Sequence, residues 1–121
     1  MYHVYWQDTN KIEFTLKGEL TEEEFRQIIH QIESLSAMYH EVNVLLDAAN
    51  VESFNFKIFL DQFDFYKKYK KHLRKFAIVS DSQFGSFIID LFNPFTETEF
   101  KTFKDRQIGE ARKWIFPSRL P

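Results

Sequence analysis

The chain has no cysteine, so disulfides and cysteine-ligated zinc sites are excluded, and a reducing compartment suits it. Only three glycines and three prolines occur, which leaves little room for flexible linkers. There is no glycine-rich phosphate loop and no Gly-x-Ser-x-Gly elbow. No apolar run approaches the roughly 18 residues that a membrane span needs. The opening Met1-Tyr2-His3-Val4-Tyr5-Trp6 lacks the basic start and long apolar run of a secretory signal. Excess positive charge is missing too. The formal net charge is −2, where domains that grip nucleic-acid backbones are usually strongly basic. The four histidines, His3, His30, His40 and His72, are scattered without metal-ligand spacing. These absences predict a cytoplasmic protein without a resident metal or cofactor, without a nucleic-acid partner and without an integral membrane segment.

What is abundant is aromatic surface. Aromatic residues make up 18% of the 121 residues, and thirteen of the fifteen phenylalanines lie from Phe54 onward. That length suits one domain, spanning residues 1–121, with one sizeable core.

Residues 3–7 and 11–17 read as strands of a hairpin, with turn chemistry at Asp8-Thr9-Asn10. Ile12, Phe14 and Leu16 alternate with Glu13, Thr15 and Lys17, which predicts one buried face and one wet face. Thr21-Glu22-Glu23-Glu24 reads as a capping box. Phe25, Ile28, Ile29, Ile32 and Leu35 follow at helical spacing, to an end near Met38–His40. Val42–Asp47 and Lys75–Ser80 have the apolar character of central strands buried on both faces. A phenylalanine-rich helix is expected over about 56–73 and a short one from Ser82 to about Phe92. A last strand within Glu97–Phe103 precedes a helix over Gln107–Phe116, with Ile108, Ala111, Trp114 and Ile115 inward. The order ββαβαβαβα describes an α/β domain. Its mixed, mostly parallel sheet of four to five strands carries an N-terminal hairpin at one edge and about four helices.

Several segments, in this order and spacing, resemble one family. They are Lys17-Gly18-Glu19-Leu20-Thr21, Val44-Leu45-Leu46-Asp47, Phe76-Ala77-Ile78-Val79-Ser80-Asp81, Pro94-Phe95, Glu99–Phe103 and Glu110–Ile115. Together they resemble the bacterial SpoIIAA-like proteins, relatives of STAS domains, from about Ile12 to Ile115. The resemblance implies a STAS-like single domain, similar also to lipid carriers of the CRAL-TRIO type, and a non-catalytic role. Anti-sigma factor antagonists of the wider family are phosphorylated on a serine at the start of the helix after the third strand. Here that neighbourhood reads Phe54-Asn55-Phe56-Lys57, with the nearest hydroxyl, Ser53, about three residues early, so the phosphoswitch pattern is not matched.

Candidate sites follow from the aromatic surplus. Phe56, Phe59, Phe63 and Tyr66 fall on one helical face and Ile58, Phe65 and Tyr69 on another. Neighbouring helices or the loop 48–55 are one cover for the second stripe; a homodimer, another protein or an apolar small molecule such as a lipid is the other. Phe54, Phe56, Phe59, Phe84 and Phe87 are expected around a pocket at the carboxyl ends of the central strands, the usual crevice of open α/β sheets. Asp47 and Asp81 follow those strands. They are read either as turn and cap residues or as paired catalytic or cation-holding carboxylates. The basic run 67–75 is read either as a solvated helix end that complements the macrodipole or as a contact for an anionic membrane. The expected function is a non-catalytic binding module. The alternatives are an enzyme using Asp47 and Asp81, and a lipid-contacting module using residues 67–75.

Overall fold

A computed structural model of the chain describes residues 1–54, 72–81 and 98–117. Strands β1 (Tyr2–Asp8) and β2 (Lys11–Leu20) lead into helix α1 (Glu22–Met38). Strands β3 (Val42–Phe54), β4 (Leu73–Val79) and β5 (Glu99–Phe103) follow. A 3-10 turn at Asp105–Gln107 then opens helix α2 (Ile108–Ile115). The five strands form one sheet in the order β1-β2-β3-β4-β5. β1 runs antiparallel to β2, and every other pair is parallel. The hairpin therefore places its antiparallel strand at an edge, as expected.

Local chemistry accounts for the element ends. At the β1–β2 turn Thr9 takes a positive φ of 49°, and the Asn10 side chain donates to Glu41 O at 2.7 Å, tying the turn to the start of β3. The capping box is present: Glu24 N–H donates to Thr21 Oγ1 at 3.1 Å, and Thr21 N–H donates to Glu24 Oε1 at 3.3 Å. Phe25, Ile28, Ile29, Ile32 and Leu35 are the buried stripe of α1.

Strand alternation sorts the core into two layers. Ile12, Phe14 and Leu16 of β2, Val44 and Leu46 of β3 and Ile78 of β4 pack with α1 on one face. Leu45, Ala77 and Val79 pack with Ala111, Ile115 and Phe116 on the other. The central strands are thus covered on both faces, which is how parallel sheets exclude water.

Four expectations are corrected. The strand predicted over Val42–Asp47 runs on to Phe54, so residues 48–54 of the expected loop 48–55 are strand. Its second half pairs with β2 from Lys17↔Asn50 to Leu20↔Phe54, across register shifts in β2. Residue 73, the expected end of the helix over about 56–73, is not helical: Leu73 begins β4 and is buried, and residues 56–71 lie outside the described residues. Glu13 and Thr15 are not on a wet face; both are buried. The described residues hold two α-helices, not about four; the two middle ones were placed over stretches outside the described residues.

Candidate functional site

Parallel register builds a polar cluster on the α2 face of the sheet. Glu13 lies opposite Leu45 and Thr15 opposite Asp47, so Glu13, Thr15 and Asp47 project together toward α2. Glu13 is 0% exposed. A carboxylate that deep needs a partner, and Arg112 of α2 supplies one from 99 residues away. Arg112 Nε donates to both carboxylate oxygens at 3.1 and 3.2 Å, and Arg112 Nη2 donates to Glu13 Oε2 at 2.8 Å. The Arg112 guanidinium carbon sits 4.7 Å from the Tyr5 ring centroid, within cation–π range. The pair therefore links β2, α2 and β1. Its carboxylate holds the Arg112 guanidinium more firmly protonated than usual.

Asp47 lies half-buried beside this pair. Burial pushes its carboxyl above the ordinary carboxylate value, and the nearby charges of Glu13 and Asp105 add to the rise. Ala49 N–H and Arg112 oppose it. Asp47 Oδ1 accepts from Ala49 N–H at 3.3 Å. Asp81, after β4, accepts from Asp105 N–H at 2.9 Å through Oδ1 and so holds the 3-10 turn that opens α2. Each of the two expected carboxylates thus accepts one backbone N–H bond. Among the described residues no three His, Cys, Asp or Glu side chains are grouped to hold a metal ion.

The other sequence-derived candidates fall differently. Phe56, Ile58, Phe59, Phe65, Tyr69, Phe84 and Phe87 lie outside the described residues, and Phe54 is described only as the last residue of β3. Of the basic run 67–75, residues 72–75 are described. Arg74 and Lys75 lie on β4, so the helix-dipole explanation does not apply to them. Lys75 Nζ is 5.2 Å from the Trp114 ring centroid and Lys101 Nζ is 4.9 Å from it.

Sequence reasoning missed Glu13, Arg112 and the aromatic edge. On β1, Tyr5 is 47% exposed and Trp6 43% exposed, although both are large aromatic residues. Trp6 pairs in register with Glu13, which puts its side chain on the α2 face as well. A signal for Glu13 existed: an acidic residue inside a strand destined for two-sided cover requires a cation, and the closing helix contains Arg112.

With this geometry in hand, the chain can be compared with known proteins. The model of the SpoIIAA-like family matches residues 11–116. The chain belongs to the SpoIIAA-like family. No curated protein matches it. Among solved structures, it is similar to an uncharacterised protein with a SpoIIAA-like fold from Shewanella loihica PV-4. The TM-score is 0.67 at 22% sequence identity, over 95% of this chain and 92% of that one. That likeness concerns the fold. No helix among the described residues is long and apolar enough to cross a membrane.

Proposed function

We propose that this SpoIIAA-like domain is a non-catalytic binding module of the bacterial cytoplasm that engages a protein partner through exposed aromatic surface. The observation that carries the reading is the pair Tyr5 and Trp6 on the edge strand, with nearly half of each residue in water. A large aromatic side chain buries roughly 150–250 Å² when covered. Covering the exposed half of each ring is favourable by about 2 kcal/mol. Two rings together supply about 4 kcal/mol, which offsets only the low end of the association cost, so they act as anchors and further contacts complete a reversible interface. The acidic groups support the same reading: Glu13 is paired with Arg112, and Asp47 and Asp81 each accept a backbone N–H, from Ala49 and Asp105.

The same reading assigns Phe54, Phe56, Ile58, Phe59, Phe65, Tyr69, Phe84 and Phe87 to an apolar pocket or mating face, for a second copy, another protein or an apolar small molecule. Its support at those positions is the sequence pattern.

The test compares the wild type with a Tyr5→Ser/Trp6→Ser double variant whose circular dichroism is unchanged. Sedimentation velocity, native mass spectrometry and affinity capture are run on both. The expected result is a dimer, partner or bound small molecule that the variant loses. A wild type that is monomeric, empty and indistinguishable from the variant in capture overturns the reading.

A further inference from the structure

A groove of about 400 Å³ runs between edge strand β1 and helix α1. Tyr2 lines it from the strand, and Glu23, Arg26, Gln27, His30 and Gln31 line it from the helix. The helix residues recur at i, i+3, i+4, i+7 and i+8, so they form one stripe along α1. No strand of the described residues lies beyond β1. A chain added at that edge would set alternate side chains on the α1 side, over the groove. The helical stripe is about 12 Å long at 1.5 Å per residue, room for about two such side chains of an extended segment.

Charge selects the occupant. The elements that bound the groove, β1 and α1, carry Arg26 against Asp8, Glu22, Glu23, Glu24 and Glu33, and the terminal ammonium pairs with Glu24. Within the groove region Arg26 is already neutralised by Glu22 at 2.7 Å. Glu23 keeps its charge and meets only the neutral Gln27 amide, at 3.3 Å. This surface attracts cations and repels phosphates and anionic lipid headgroups. A second copy fits poorly, because the register shift between Val4 and Trp6 breaks continuous pairing of two β1 strands about a two-fold axis.

We propose that edge strand β1 and the β1–α1 groove together dock an extended basic segment of a protein partner, added to the sheet as a sixth strand. This deepens the protein-binding reading above and rests on it.

The test titrates the isotope-labelled chain with eight-residue peptides and follows backbone amides by NMR. The first peptide alternates Val and Lys, and the second alternates Val and Glu. Two more keep the Val–Lys sequence but carry N-methyl groups on one backbone edge or the other. The Val–Lys peptide should shift amides of Tyr2–Asp8 and of the groove side of α1 saturably. The Val–Glu peptide should bind about tenfold more weakly through charge reversal. One N-methylated peptide should bind like the parent, and the other about tenfold more weakly, since only one edge can hydrogen-bond. Glu23→Lys should weaken the Val–Lys peptide and strengthen the Val–Glu one. Shifts that avoid β1, equal binding of both N-methylated peptides, or no saturable binding would overturn the proposal. So would a concentration-dependent dimer abolished by Val4→Pro, which would assign the edge to a second copy. If these peptide results fail while the Tyr5/Trp6 variant still loses a partner, only this proposal falls.

Discussion

Removing Arg112 should be among the most damaging single changes among the described residues. Arg112→Met keeps much of the side-chain volume and helix propensity but leaves the Glu13 carboxylate fully buried without its cation. Removing one partner of a buried pair costs about 3–5 kcal/mol, because a charge is stranded in a low dielectric. The lower half of that range applies here, since Arg112 is 29% exposed and water can partly solvate the vacated position. With a urea m-value of about 2 kcal/mol/M, a loss of 3 kcal/mol lowers the unfolding midpoint by about 1.5 M. Glu13→Gln should cost less, because the amide still accepts a hydrogen bond and the guanidinium left over reaches solvent. The double variant Glu13→Leu/Arg112→Met should recover most of the loss, since apolar replacement of a whole buried pair is often neutral. Urea titrations at pH 7 of the wild type, Arg112→Met, Glu13→Leu and the double variant, read as a double-mutant cycle, give the coupling directly. A loss below about 1 kcal/mol for Arg112→Met would refute the reasoning, for it would equate this pair with an ordinary surface salt bridge.

Asp47→Asn should raise stability at neutral pH. The folded-state carboxyl value lies above the ordinary 3.8, so the ionised form opposes folding above that raised value. The wild type should gain stability as pH falls through it, and the variant should lack that rise in a pH series of urea midpoints. Thr21→Ala should cost about 1 kcal/mol by removing the α1 cap, read by thermal unfolding. It should also weaken the pH dependence due to Glu24, whose carboxyl is held low first by the terminal ammonium and then by Thr21. That contribution is present above the ordinary 4.5 and is lost as pH falls through the lowered value, the opposite sense to Asp47. Thr9→Gly should stabilise by up to about 1 kcal/mol, since a β-branched residue at φ 49° is strained, while Gly18→Ala at φ 65° should destabilise by a similar amount. Urea midpoints of these two variants should move in opposite directions.

The sequence was legible where local chemistry and periodicity agree. Thr21 and Glu24 announce the start of α1, and Ile28, Ile29, Ile32 and Leu35 repeat at the period that buries them. Asp8-Thr9-Asn10 marks the hairpin because two strand-like runs flank it. The length of β3 was not legible. Asp47, Asn50 and Glu52 give no strand signal of their own; the strand continues because β2 offers a partner through Leu20, a long-range cause. The start of β4 was hidden for a related reason: Leu73 continues the helical spacing of Tyr66 and Tyr69 in sequence, and it opens a strand because β3 offers it Val42 as a partner.

The polar cluster was illegible for a deeper reason. Alternation in Lys11–Lys17 says which residues share a face, not which face is wet. That depends on whether another layer arrives, and the layer here is α2, encoded about 90 residues later. The exposed outcome at Tyr5 and Trp6 is the same logic in reverse. α2 packs mainly on β3, β4 and β5 and reaches the hairpin through Arg112. The rings at the sheet edge therefore remain accessible while Glu13, one strand inward, is buried. Among the described residues, the edge position of β1 is what leaves Tyr5 and Trp6 exposed where the same residue types one strand inward would be core.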